Sequence, residues 1–302
     1  MSKVTILCLH KITDEHFPSW PGMSIKTFEK LLKFISKNYE ICLPSDVKEN
    51  VIKKQLILTF DDGFEDFYYN AFPLLKKHNI PAVLNVVVNC IKTDYQIWTQ
   101  QLNDTLDAYA KESKGFEIQI GEDTFEYNIN IENAEKLALE IFKKLLSLTT
   151  EKRELIVFKL EEEAPTKINR TKMMNTKQLK EVSDAGILIG SHSLSHPNLK
   201  IEDNQSEFLK QELSESKTQL EKILNKPVEV FAFPNGMYSE LGLELAKEAG
   251  YKYLLLVDND IAEFKHKKEL KVLDRILIYS NNHYKNIFRI NNFHNKIRRW
   301  LK

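Results

Sequence analysis

Seven short runs of this chain, VTILCLH, QLILTF, AVLNVVV, GILIGSHS, VEVFAFP, YKYLLLV and VLDRILI, are apolar at most positions and separated by much longer amphipathic stretches. Several show no apolar–polar alternation, which suits strands buried on both faces of a parallel sheet rather than half-exposed hairpins. The stretches between them, such as SIKTFEKLLKFISKN, FEDFYYNAFPLLKKHN, SEFLKQELSESKTQLEKILNK and ELGLELAKEAG, carry helical spacing. Strand and helix in alternation predict an α/β protein, either a βα barrel or a doubly wound sheet. At 302 residues and 42% hydrophobic content the chain can bury a sizeable core, in one large domain or two smaller ones.

One interval breaks the rhythm. Residues 93–174 carry mostly helical signals with a short β-like piece, FEIQIGEDTFEYNI, and read as an insertion, either a cap over a mouth or a body packed outside. Residues 284–302 mix Phe288, Ile290, Phe293, Ile297 and Trp300 with Lys285, Arg289, Lys296, Arg298, Arg299 and Lys302. Such a basic amphipathic helix suits membrane contact or, the commoner use, docking on its own domain. Lys+Arg and Asp+Glu balance at 43 each, so no overall field draws the chain to nucleic acid or an anionic surface. Cys8, Cys42 and Cys90 form no CxxC pair and read as reduced, buried thiols. The opening MSKVTILCLHKITDEHF has too short an apolar run for a signal peptide or a membrane span, and the expected location is cytoplasmic.

Three loops hold the chemistry-bearing residues. In LILTFDDGFEDF, Asp-Gly between apolar runs ordinarily signals a hairpin, but the segment that follows is helix-like. Asp61 and Asp62 therefore sit at a strand-to-helix junction, the sheet edge where α/β folds carry their sites. An Asp62 acting only as a helix N-cap is the simpler alternative. In GSHSLSHPNL, His192 and His196 are four apart, a spacing compatible with shared metal ligation on a helical turn or on a loop bent by Pro197. With one carboxylate they would make the His₂-carboxylate shell of a catalytic zinc site, and the same donors accept cobalt or nickel. In VFAFPNG a strand runs into Pro234-Asn235-Gly236, a turn able to aim backbone N–H groups at an oxyanion.

TFDDG (Thr59 to Gly63), SHSLSHP (Ser191 to Pro197) and FAFPNG (Phe231 to Gly236), in that order, resemble the motifs of the polysaccharide deacetylases, carbohydrate esterase family 4. The resemblance implies a distorted (β/α)7-type barrel over residues 1–283, interrupted by the insertion 93–174 and followed by the helix 284–302. It implies Asp62, His192 and His196 as ligands of a divalent metal, most often Zn2+, with Co2+ or Ni2+ as alternatives. It also implies Asp61 as general base, and Pro234 and Asn235 at the substrate and oxyanion position. Two features depart from the family pattern. Ala232 stands before Phe233-Pro234 where many members carry an arginine that steadies the base, and VLDRILIYS lacks the late histidine that serves as acid. Arg275 in LDRIL is the candidate replacement for that arginine. LCLHKI resembles the start of the branch that deacetylates exopolysaccharides, which makes His10 the candidate acid; a buried strand-end histidine is the plainer alternative.

The implied reaction is metal-assisted hydrolysis of the N-acetyl group of an amino sugar in a glycan or glycan precursor, releasing acetate. Its partner is an N-acetylated carbohydrate, and Trp20, Tyr68, Tyr69 and Trp98 are candidate stacking aromatics, with core packing the more frequent role of such residues. Hydrolysis of a small non-sugar amide or cyclic imide, and a catalytically silent glycan-binding domain, are the competing readings.

Overall fold

The computed structural model describes residues 2–49, 51–202, 204–257, 262–264 and 270–291. Strands β1 (Ser2–Leu9), β2 (Glu40–Ile41), β3 (Gln55–Phe60) and β4 (Val83–Val86) precede a hairpin, β5 (Gly115–Ile120) and β6 (Asp123–Asn128). Then follow β7 (Leu188–Ser191), β8 (Val230–Ala232), β9 (Tyr253–Leu255), β10 (Ala262–Phe264), β11 (Lys271–Leu273) and β12 (Ile276–Leu277). The parallel pairings run β1–β3–β4–β7–β8–β9–β11. β12 then pairs in parallel with β1, so the series returns to its first strand as a curled α/β barrel sheet. Short β2 lies beside the first half of β3, and β10 pairs antiparallel with the start of β1.

The last expected strand, VLDRILI, is two strands. β11 pairs with β9 and β12 with β1, and Asp274-Arg275 forms the link that changes partners. An apolar run reports burial but not which neighbour a strand takes, so the break is invisible to periodicity.

Because side chains alternate along a strand, each barrel strand contributes one row to each face of the sheet. One face, with Leu7, Leu9, Leu56, Leu58, Phe60, Leu84 and Ile189, packs under helices that include Ile25–Asn38 and Ser206–Leu224. The other gathers Val4, Ile6, Ile57, Val83, Val230, Ala232, Leu255 and Leu273 into a second apolar cluster. Continued two residues at a time toward the C-terminal ends, that second row becomes polar. Val4-Ile6 leads to Cys8 and His10, Ile57 to Thr59 and Asp61, Val83 to Asn85, and Leu273 to Arg275. An apolar floor thus supports a polar layer at the edge where βα folds place their sites.

The chain divides into two compact units. One comprises Met1–Asp14, Met23–Tyr95 and Met173–Lys302 and contains the barrel; the other comprises Glu15–Gly22 and Gln96–Lys172. The second has its own core, in which Trp98, Leu102, Leu106, Tyr109, Ile141 and Leu145 are buried by helices Trp98–Lys111, Ala134–Leu146 and Thr150–Glu162 and by the β5–β6 hairpin. Trp98 is 1% exposed, stacked on Phe142 with the Arg153 guanidinium over its ring, so its aromatic surface is covered by packing.

In helix His283–Ile290, Ile290 is buried and Arg289 Nη1 donates to Leu277 O at 3.0 Å; the tail residues Phe293, Lys296, Ile297, Arg298, Arg299, Trp300 and Lys302 lie outside the described residues. Among the described residues no helix is long and apolar enough to cross a membrane. The three cysteines are buried and unbridged.

Candidate active site

β3 ends in Phe60, and the chain turns immediately. Asp62 has φ 75 and Gly63 φ 85, two successive residues in the left-handed region that only glycine enters readily. The bend therefore starts at Asp62 itself, which separates two carboxylates that an extended chain would point to opposite faces. Ser193 (φ 70), His196 (φ 61) and Asn235 (φ 56) adopt the same rare conformation in the other two motif loops. Each such residue costs on the order of 1–3 kcal/mol and persists only where its surroundings hold it.

Asp61 is held by donors on both oxygens. Arg275 grips it with two bonds, Nη1 to Oδ1 and Nη2 to Oδ2, both 2.7 Å. Asn85 Nδ2 donates to Oδ1 at 2.7 Å and the Cys8 thiol to Oδ2 at 3.4 Å. Arg275 is itself anchored, with Nε donating to Leu256 O at 3.0 Å and Nη1 to Thr59 Oγ1 at 3.1 Å. Burial works to raise the Asp61 pKa, but the Arg275 charge, helped by His192, wins and holds it well below the usual carboxylate range. Gly190 makes room for this network, because a Cβ there would run into Asn85 Oδ1.

Asp62 is the opposite case. It is equally buried, yet among the described residues its Oδ1 accepts no hydrogen bond. Burial, and next the Asp61 charge, push its pKa well above the usual range. Its Oδ1 faces two imidazoles, His192 Nε2 at 3.5 Å and His196 Nε2 at 3.6 Å. Those separations are long for hydrogen bonds and close to the roughly 3.4 Å between ligand atoms that each stand about 2.0–2.1 Å from a tetrahedral zinc ion. His192 Nδ1 lies 2.7 Å from Ala232 O; a carbonyl only accepts, so Nδ1 carries the proton and Nε2 presents its lone pair to the gap. An orphaned carboxylate oxygen with two converging imidazoles is the donor set of a divalent cation, and these three residues fit one. Cys8, His10 and Asp61 also bring potential ligand atoms within 4.8 Å of one another. They suit a cation poorly, because Asp61 is already saturated and burial keeps Cys8 a thiol, well above its ordinary pKa.

His196 precedes Pro197, and the residue before a proline avoids the right-handed helical region. It does so by entering the left-handed one, and the pair lies on a loop rather than a helical turn.

His10 follows the end of β1, whose Leu9 carbonyl accepts the Asp61 N–H at 3.0 Å. Two residues on, both main-chain groups of Ile12 are clamped: its N–H donates to Asp66 Oδ2 and its carbonyl accepts from Asn70 Nδ2, each at 2.8 Å. Asp66 and Asn70 flank and occupy a π-turn, Phe67–Ala71, in the helix behind the two acids. Burial pushes the His10 pKa down to about 4 against the pull of the Asp61 charge. In the third loop Pro234 and Asn235 form a tight turn two residues beyond Ala232, whose carbonyl orients His192. Among the described residues the Asn235 side-chain nitrogen has no hydrogen-bond partner.

The profile of the family described as polysaccharide deacetylase matches residues 48–254, most of the chain and all three motif loops. The chain belongs to the polysaccharide deacetylase family. Among solved structures it is similar to the Streptococcus pyogenes deacetylase PplD in complex with acetate, with TM-score 0.61 and 20% identity over 95% of this chain and 97% of that one. It is also similar to a de-N-acetylase from Aggregatibacter actinomycetemcomitans, with TM-score 0.58 and 14% identity over 96% of this chain and 100% of that one. At such identities the likeness is one of fold. A curated relative, the putative polysaccharide deacetylase YxkH of Bacillus subtilis, is 26% identical over 110 residues, and the match spans 34% of this chain and 38% of that protein.

Within this family fold, several residues at the site escape the motifs. Asn85 is a lone polar residue inside the apolar run AVLNVVV, a signal that could have marked it. Lys11, buried beside His10 with its ammonium 5.3 Å from the Phe64 ring, carries a charge that favours ionised Asp62. Asp66 and Asn70 carry no mark in the sequence, because each looks like an ordinary polar position on a helix.

Proposed function

We propose that this chain hydrolyses the N-acetyl group of an amino sugar in a glycan or glycan precursor, using a divalent metal, Zn2+ by preference, held by Asp62, His192 and His196. The observation that carries this reading is the contrast between the adjacent acids: one saturated by donors and strongly ionised, the other left with a bare oxygen opposite two imidazoles. Acetate bound to the similar PplD is the product such a site would release.

The cation, when bound, supplies Lewis-acid polarisation of the acetamide carbonyl and a lowered pKa for water. Asp61 is the base that receives the proton of the attacking water, and Arg275 fixes its orientation, taking the place of the arginine many members carry in the third motif. The His10 ring lies in the same cluster as Asp61, and His10 relays the proton from Asp61 to the departing amine nitrogen. The Pro234-Asn235 turn offers the Asn235 N–H to the oxyanion.

The test is acetate release from N-acetylglucosamine oligomers, with and without a chelator, together with metal analysis. Chelator-sensitive release is the expected result. A protein that binds metal but releases no acetate from a broad panel of N-acetyl sugars would sink the reading and favour a small amide or cyclic imide, or a silent binding domain.

A further inference from the structure

The loop that carries both histidines is strained at two points, Ser193 and His196, and something must hold it. Its buried main-chain groups need partners, and those partners are what hold it. On one side its carbonyls are taken by the start of helix Val88–Lys92: Val88 N–H donates to Ser193 O and Asn89 N–H to Leu194 O, each at 3.1 Å. On the other side its N–H groups converge on a single side chain. Glu212 Oε2 accepts from Leu194 N at 2.9 Å and Ser195 N at 3.0 Å, and Oε1 accepts from the Ser195 hydroxyl at 2.5 Å. Within the loop, Ser193 Oγ accepts from His196 N at 2.9 Å and Ser191 Oγ from Ser193 N at 3.2 Å. Ser191 in turn donates to Ser216 at 2.9 Å, one helical turn beyond Glu212 on the same face of helix Ser206–Leu224.

Glu212 is almost fully buried, and both its oxygens are engaged by residues lying between the two imidazoles. A buried acid satisfied by backbone N–H groups could serve stability alone. Its target argues for more: the segment it fixes has a histidine at each end, and the spacing of the two rings is set by the conformation of the three residues between them. Without Glu212, two N–H groups and a hydroxyl lose their acceptor, and the left-handed residues beside them lose the constraint that offsets their strain.

We propose that Glu212 is the positioning residue of the cation site, pre-forming the His192–His196 loop before metal arrives. This rests on the reading of Asp62, His192 and His196 as metal ligands. Residues that orient ligands from behind typically change metal affinity about 10–100-fold when removed.

The test uses the full chain stripped by chelator and titrated with Zn2+ against a competing chromophoric chelator, with near-UV circular dichroism to confirm folding. Glu212→Gln keeps the volume and one acceptor oxygen but turns an amide donor toward a donor. It is expected to weaken Zn2+ binding about 10-fold, and Glu212→Ala up to about 100-fold. Both are expected to alter the visible d–d spectrum of the Co2+-loaded protein, which a purely structural role would leave unchanged. A folded Glu212→Gln with the wild-type Zn2+ affinity and Co2+ spectrum overturns the proposal, whatever happens to Glu212→Ala. Asp62→Ala is the control for the underlying reading: if wild-type uptake of Zn2+ is absent, or persists undiminished in Asp62→Ala, the metal site itself is wrong.

Discussion

Asp61 and Asp62 are neighbours in sequence and equally buried, yet their surroundings are complementary. Asp61 accepts from Arg275, Asn85 and Cys8, and Thr59 braces the arginine in turn, so four strands or strand ends converge on one carboxylate. Asp62 has a bare oxygen and two imidazoles. What separates them is one residue of left-handed backbone. A buried carboxylate is thus assigned its work by what its neighbours leave undone: a saturated one is fixed and ionised, and an unsaturated one is open to a charge from outside.

Five measurements probe that contrast. The largest effect belongs to the open acid: Asp62→Ala, or exhaustive chelation of the wild type, is expected to abolish acetate release and Zn2+ uptake together, as read by metal analysis. For the saturated acid, Asp61→Asn is expected to retain metal while losing about 10³-fold in turnover; full turnover would remove it as base. Next comes the grip itself. Arg275→Met leaves a buried carboxylate unpaired, at a cost of about 3–5 kcal/mol in denaturant unfolding. Asp61 is depressed in the folded protein, so the stability it contributes is present above the unfolded carboxylate value and is lost as pH falls through the folded one. Removing Arg275 raises the folded value and moves the acid limb of activity to higher pH.

Gly190→Ala presses a methyl group into Asn85 and is expected to cost about 1–3 kcal/mol by overpacking, with a fall in turnover and Zn2+ affinity preserved. The smallest effect is His10→Gln. Wild-type His10 is depressed to about 4, so the unfolded chain binds the extra proton first and stability falls as pH drops from about 6.5 toward that value. The variant should flatten that part of the stability profile, in addition to slowing turnover; an unchanged rate would take His10 out of the reaction.

The parts of the site that can be read from sequence are those that sit directly after an apolar run. Asp61, Asp62, His192, His196 and Asn235 each follow a strand, and the structure places them along one edge because parallel strands share a direction. Arg275 stands out only as the one cation in the last apolar run, and its two-bond grip on Asp61 depends on the break between β11 and β12, which periodicity cannot express. Glu212 is illegible for a different reason. In SEFLKQELSESKTQLEKIL it is one of several glutamates on an amphipathic helix, and only the packing of that helix over the histidine loop distinguishes it from its solvated neighbours. Local pattern reports which residues end strands; it does not report which helix covers which loop.

The seam at Asp274-Arg275 also sets an order of events. Asp61 and Arg275 are 214 residues apart, and Arg275 reaches its partner only when the final strands have added on to β9 and β1. Contacts so distant in sequence form late, after the entropy of closing a long loop has been met. During synthesis the histidine loop and most strands emerge well before the arginine does, so a chain not yet extended through Arg275 would carry Asp61 without its counter-charge. Closure of the barrel and the pairing of Asp61 with its counter-charge are in this way a single event.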